Sequence, residues 1–326
     1  MIDEFFEKKY LFRDFFDNFN FHLAMNSLFY DKFEGYEQTR YSFEKWSSEG
    51  DPEAQFYLGR MYKEGNGEVI DEKKANILFV KSLRTFLNLT KSDKLDSKSN
   101  FYIGLMCLHG YGTHKDLLKS LNFFSKSAKK GHDFAQVFLG IMYYNGDGVE
   151  QNYTKAFELF EESAKQGNNF AQFHLGLMYY AGLGVDQNYE KAFEYCSKSA
   201  KQKNREAQFV LAYMYKNGEG IDKNYKKAFD YYKESAEQGF LHSQYNLACM
   251  YYNGDGVEQD SEKAFKWYKK SAKQGHAQAQ HMLGTMYEQA IGVEMNIIEA
   301  YRWYKKSAKQ GNEKAKEEIF RLENSN

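Results

Sequence analysis

The sequence predicts an all-α fold, a solenoid of stacked helix hairpins. Three observations predict it. One stretch recurs almost unchanged: "YYNGDGVEQNYTKAFELFEESAKQG" at Tyr143–Gly167, "YYAGLGVDQNYEKAFEYCSKSAKQK" 36 residues on, and "YYNGDGVEQDSEKAFKWYKKSAKQG" at Tyr251–Gly275. One small residue marks each copy, at Gly59, Gly104, Gly140, Gly176, Ala212, Ala248 and Gly284, and the spacing is 36 from Gly104 onward. A period of this size is the signature of an array whose units bury their faces on one another. The chain also holds a single proline in 326 residues, which leaves long helices uninterrupted.

The elements follow in order. Residues 1–50 read as a degenerate N-terminal capping repeat: "FHLAMNSLFYDKFEGYEQTRYSFEKWSSEG" resembles a worn copy, with Ala24 near the marker position. Residues 51–311 read as seven repeats. Gly59 and Gly104 stand 45 apart, so nine residues are inserted near 85–98. Residues 312–326 read as a capping helix with a more polar surface. Degenerate ends are expected where an array must hide its last face from water.

Each repeat reads as two helices. The first, such as "NNFAQFHLGLMYYAG", places Ala171, Leu175, Met178 and Tyr179 on one face at helical spacing. It ends at glycine, and the following G-x-G-V supplies two residues able to take positive φ. The second, such as "YEKAFEYCSKSAKQ", starts acidic and ends in lysine, which suits the helix macrodipole. Pro52 opens a first helix, where its missing N–H costs little. The small markers are expected where the two helices of a hairpin meet, since larger side chains would force them apart.

The pattern A-x-A-Q-x-x-L-G-x-M-Y-x-x-G-x-G-V-x-x-(N/D)-x-x-K-A-x-x-(W/Y/F)-Y-x-K-S-A-x-Q-G resembles the Sel-one-like repeat (SLR), a relative of the tetratricopeptide repeat. Seven copies in register, from about Glu53 to Gly311, carry the resemblance. It implies a right-handed α/α superhelix whose concave face is lined by first helices, and non-catalytic adaptor work. The two cysteines per repeat of the secreted bacterial branch are missing here.

Composition narrows the function classes. Net charge is −1, with 27% charged residues, so nothing pulls the chain towards nucleic acid or acidic membrane. The Phe-rich start lacks a clean apolar core and a cleavage site, and no segment approaches a membrane span. Cys107, Cys196 and Cys249 occupy different repeat positions and form no disulfide framework. A cytoplasmic protein without membrane insertion is expected. No cofactor or metal is expected either. "NGDGVEQ" at Asn145–Gln151 lacks the alternating oxygen ligands of a calcium loop, and the eight histidines lack zinc-type spacing. An enzyme would need a converging acid, base or nucleophile, and the repeats offer none.

The positions that differ between copies then carry the function. On first helices, the columns opposite the hairpin core give a candidate partner-binding groove of Leu105, Leu108, Ile141, Tyr144, Leu177, Tyr180, Tyr213, Lys216, His242, Tyr252 and His281. Tyr144, Tyr180 and Tyr213 are the expected anchors, because tyrosine supplies rigid contact area with one wet end. The Phe56 column is assigned to packing. The function expected is a scaffold or adaptor that binds another protein or peptide. A dedicated inhibitor of the immunity type is the alternative. The partner and the oligomeric state are left open.

Overall fold

The structure, a computed structural model, describes residues 36–65, 70–91 and 97–324. The expected worn copy before Tyr36 lies outside the described residues. Sixteen helices and no strand are found among the described residues. They are α1 (Tyr36–Ser48), α2 (Pro52–Glu64), α3 (Glu72–Lys91), α4 (Ser97–His109), α5 (Leu117–Ala128), α6 (Asp133–Asn145), α7 (Tyr153–Lys165) and α8 (Asn169–Ala181). There follow α9 (Tyr189–Lys201), α10 (Arg205–Asn217), α11 (Tyr225–Glu237), α12 (Leu241–Asn253), α13 (Ser261–Lys273), α14 (Ala277–Glu288), α15 (Ile297–Ala308) and α16 (Glu313–Glu323). From α2 to α15 they alternate as first and second helices of seven hairpins. The chain forms two compact units. Unit 1 holds the described residues up to Ala171 together with Leu183–Val185; unit 2 holds Gln172–Gly182 and the chain from Asp186.

The repeated letters have local jobs. The Asn or Asp of the V-x-x-(N/D) stretch caps each second helix. Asn152 Oδ1 accepts from the Lys155 N–H at 2.9 Å, and Asp260 Oδ1 accepts from the Lys263 N–H at 2.9 Å. Such a cap is worth about 1 kcal/mol, and it marks the helix start more sharply than the flanking charges do. The serine before the repeat's S-A alanine ties the hairpin shut: buried Ser163 donates to the Asp133 carbonyl at 3.0 Å, and Ser307 to that of Ala277 at 2.7 Å. A glutamine pair repeats the tie, with Gln166 Nε2 on Gln136 Oε1 and Gln310 Nε2 on Gln280 Oε1, each at 2.8 Å.

The small markers sit at the hairpin contact. A Cβ at Gly140 would lie 2.8 Å from the Phe160 ring, and one at Gly176 2.5 Å from the Cys196 sulfur. The second glycine of the loop has a further duty. A Cβ at Gly220 would lie 2.3 Å from the Tyr189 carbonyl oxygen. That residue therefore needs its positive φ of 69° and also the absence of a side chain, because it rests on the backbone that opens the previous second helix.

Candidate functional site

The expected groove column is buried on α4, α6 and α8 and half-open on α10, α12 and α14. In unit 1, Leu105, Leu108, Ile141 and Tyr144 are all buried. Tyr144 is 2% exposed, with its ring edge-on to Tyr153 at 5.0 Å, and its carbonyl accepts from Gln151 Nε2 at 2.7 Å. In unit 2, Leu177 is buried and Tyr180 is 9% exposed. The Tyr180 hydroxyl donates to Glu219 Oε2 at 2.7 Å, which ties this repeat to the loop of the next one. These six positions are a correction. Neighbouring side chains already take their surface, so they pack the array, and Tyr144 and Tyr180 have no face to offer as anchors.

The other five residues stay half-buried, and all lie in unit 2: Tyr213 and Lys216 on α10, His242 and Tyr252 on α12, and His281 on α14. His242 stands among rings, 6.1 Å from Phe209, 5.3 Å from Phe240 and 5.2 Å from His276. Burial drives its pKa down to about 4, so it is neutral at pH 7. Burial also lowers His281, against an opposing pull from Glu318. The Phe56 column is buried where it carries Phe56, Phe101, Phe173 and Phe209.

Sequence reasoning missed the groups beneath these residues. The ring that faces each marker is Phe79, Phe124 and Phe160 in unit 1; in unit 2 the position holds Cys196, Tyr232, Tyr268 and Tyr304. The tyrosine hydroxyls reach outward to the first helix. Tyr268 donates to Cys249 Sγ at 3.2 Å, and Tyr245 also hydrogen-bonds that thiol. Tyr304 donates to Glu288 Oε2 at 2.8 Å and lies 3.2 Å from Thr285 Oγ1. Glu288 also pairs with Arg321. The Tyr232 hydroxyl, fully buried, has no hydrogen-bond partner among the described residues; Tyr213 and Cys249 are its electrostatic neighbours. The phenyl-to-phenol change every 36 residues was the available signal.

The charged chemistry of the site is subdued. Burial pushes Cys196 up to about 12 and raises Cys249, which the hydrogen bonds from Tyr268 and Tyr245, and then Lys216, pull back in part. Cys107, Cys196 and Cys249 are free thiols. No group of three metal-binding side chains occurs among the described residues. No described helix is long and apolar enough to cross a membrane.

The Sel1 repeat family model matches residues 52–84, 97–132, 133–168, 169–204, 205–240, 241–276 and 277–312. Among solved structures, the chain is similar to a protective antigen present in uropathogenic Escherichia coli strains that displays an SLR fold. Identity there is 31% and the TM-score 0.65, over 88% of this chain and 59% of that one. This chain thus spans less than two thirds of that protein. It is also similar to a Sel1 repeat protein from Oxalobacter formigenes, at 28% identity and a TM-score of 0.65, over 96% of this chain and 89% of that one. The APC/C hetero-tetramer Cut9-Hcn1 shares the fold alone, at 14% identity and a TM-score of 0.51, over 92% of this chain and 58% of that one. No curated protein matches the chain.

Proposed function

The chain belongs to the Sel1 repeat family, and from that premise we infer that it is a non-catalytic scaffold whose first helices in unit 2 hold a partner protein or peptide. One observation carries the reading. The column that is buried and largely apolar on α4, α6 and α8 becomes polar and half-open from α10 onward, with Tyr213 and Lys216, then Cys249 and Tyr252, then Thr285 and Glu288. A row of amphipathic aromatics with a mixed-charge edge suits a protein segment more than a small molecule. Lys216 at one end and Glu288 at the other would set polarity and register.

Catalysis draws no support from the same groups. The buried thiol Cys196 and the buried histidines His174, His242 and His276 are held in their neutral forms. Free thiols suit a reducing compartment, so we place the protein in the cytoplasm.

The test is quantitative capture from a lysate of the source cell. The bait is the full chain beside the triple variant Tyr213→Ala, Lys216→Ala and Tyr252→Ala, with Lys201→Ala and Lys233→Ala on second helices as a control. Circular dichroism checks that helix content is kept. The triple variant should lose at least about tenfold in capture, as removal of central anchors does. Capture that survives it, and is lost instead in the second-helix control, would move the site to the other face.

A further inference from the structure

The net charge of −1 hides a segregation of charge along the second helices. Four positions recur on one face of these helices, within about 100° of the circumference. On α7 they hold Glu158, Glu161, Glu162 and Lys165; on α9 Glu194, Ser197, Lys198 and Lys201; on α11 Asp230, Lys233, Glu234 and Glu237. On α13 they hold Lys266, Lys269, Lys270 and Lys273, and in the last hairpin Arg302, Lys305, Lys306 and Lys309. Lysine in a last turn suits the helix macrodipole, and α7 and α9 have it too. The change lies in mid-helix, where Lys266 and Arg302 stand in the column of Glu158, Glu194 and Asp230.

The earlier helices neutralise much of their own charge. Lys165 donates to Glu161 at 3.0 Å, Lys198 to Glu194 at 2.6 Å and Lys226 to Asp230 at 2.9 Å. The last two hairpins instead set cation over cation one turn apart: Lys266 with Lys270, Lys269 with Lys273, Arg302 with Lys306, and Lys305 with Lys309. Such like-charge pairs weaken a helix. Each of these faces carries one acid, in its first turn. Glu262 lies one turn before Lys266, and Glu299 takes Arg302 at 2.5 Å. Two acids thus face eight cations. The neighbouring acids are engaged elsewhere: Glu234 accepts from Gln208 at 2.7 Å, Glu237 pairs with Lys233 at 3.9 Å, and Glu323 accepts from Tyr301 at 2.7 Å. The two helices are neighbours, since Gly292 in the loop leading to α15 rests on the Ser261 backbone that opens α13. Two lysine heads are already held in place, Lys270 at 3.9 Å from the centre of the Trp267 ring and Lys306 at 4.1 Å from that of Trp303.

We propose that the lysine face of α13 and α15 docks an acidic segment of a second partner protein, at a surface separate from the first-helix column. The array itself shows which anion these positions accept. In the same columns α7 and α9 seat a carboxylate beside a lysine one turn away. Glutamate and aspartate of the partner supply what α13 and α15 lack, and they relieve the like-charge pairs in doing so. A field of one sign also speeds the encounter and makes it sensitive to salt. Single-stranded nucleic acid fits less well, because it asks for open ring faces on which bases stack. Trp303 is buried and Trp267 half-buried, each under its own lysine.

Fluorescence anisotropy with labelled poly-L-glutamate and the full chain, at roughly 0.05 and 0.15 M salt, is the test. Wild type should bind, more weakly at the higher salt. The triple variant Lys266→Gln, Lys270→Gln and Lys273→Gln should bind at least about tenfold more weakly. Its melting temperature should not fall, because the change removes repulsion within α13. Lys165→Gln, Lys198→Gln and Lys201→Gln together alter the net charge equally on α7 and α9, and should change binding by no more than about twofold. The first-helix variant Tyr213→Ala, Lys216→Ala and Tyr252→Ala should keep the polymer, which separates this surface from the other one. No binding at the lower salt would overturn the proposal. An equal loss in both lysine triples would reduce it to net charge and overturn it as well. Tighter binding of poly(U), or of vesicles containing phosphatidylserine, through Lys266, Lys270 and Lys273 would give the face to nucleic acid or membrane instead.

Discussion

Phe160 in unit 1 and Tyr304 in unit 2 occupy the same place in their hairpins and differ by one oxygen. Both rings are fully buried against a marker glycine. Above Phe160 the first helix shows Ile141 and Tyr144, both buried. Above Tyr304 it shows Thr285 and Glu288, half-buried and bonded to the phenol. A phenyl ring asks for no hydrogen-bond partner, and over Phe160 the column closes into core. A phenol needs an acceptor, and the acceptor brings a polar, wetted column with it. In these two hairpins the character of the first-helix surface follows the second helix one layer below; over Phe79 it does not, since Arg60 and Lys63 hold that column.

The comparison can be broken most forcefully at the markers. Gly140→Leu and Gly176→Leu drive the same clash into different units, against the Phe160 ring and against Cys196 with its backbone. Each should cost on the order of 3 kcal/mol through overpacking. In an array held by nearest-neighbour interfaces the damage stays local. Hydrogen exchange should therefore show unit 1 loosened by the first variant and unit 2 by the second. Equal loss in both units from either variant would mean that they unfold as one.

Acid should separate the units as well. Burial lowers His174 and His276 to about 3 and His242 to about 4, and it lowers His281; all four are in unit 2. In unit 1, burial, with Arg60, Lys115 and Lys63 nearby, lowers His109 to about 4. Below their ordinary value of 6.5, these histidines take protons in the unfolded chain but not in the folded one. Their contribution to stability is complete above that value and is lost as pH falls towards 3 or 4. Exchange protection at about pH 5 should fall more in unit 2 than in unit 1, once intrinsic rates are corrected. A greater loss in unit 1 would show that other groups govern the acid response.

Much of this fold was legible in the letters. Period, helix pairing and the marker glycines are one-dimensional facts, because each contact recurs at a fixed offset. The candidate site was legible only in part. Sequence periodicity places Tyr144, Tyr180 and Tyr213 in the same column but does not reveal depth. Tyr144 is sealed by core, and Tyr180 is tied down by Glu219 from the next repeat. Only Tyr213 stays half-open. From α6 to α14 depth varies with the second-helix residue beneath, a column to which the repeat pattern alone assigns no role.

Exchanging the oxygen between units tests this account directly. Phe160→Tyr in unit 1 places a hydroxyl, by the 36-residue register, beneath the buried side chains of Ile141 and Tyr144, with no carboxylate like Glu288 in the column. An unsatisfied buried hydroxyl costs about 1–3 kcal/mol. The reverse change in unit 2, Tyr304→Phe, removes the bond to Glu288. Glu288 keeps Arg321 and some water, so the loss should be nearer 1 kcal/mol. Chemical denaturation of the two variants gives the order. A larger loss for Tyr304→Phe than for Phe160→Tyr would mean that the phenol holds the unit 2 surface more firmly than a single bond can.

The smallest expected change has the opposite sign. Tyr232 is the tyrosine of this column whose hydroxyl has no hydrogen-bond partner among the described residues, although the residue is fully buried. Its folded state bears the cost of drying that oxygen without a bond in return. Tyr232→Phe removes the oxygen and keeps the ring, so the packing against the hairpin is unchanged. The variant should be neutral or gain up to about 1 kcal/mol, because apolar replacement of an unpaired polar group carries no desolvation cost. Thermal melting against wild type reads it, and a clear drop in the midpoint would mean that a buried water satisfies the hydroxyl. The same variant in the capture assay sharpens the contrast with unit 1. The oxygen lies near Tyr213 and Cys249, inside the proposed binding column. A protein that melts higher yet captures less partner would show that unit 2 keeps an unsatisfied group in order to bind. Unchanged capture would leave Tyr213 and its neighbours to hold the partner without it.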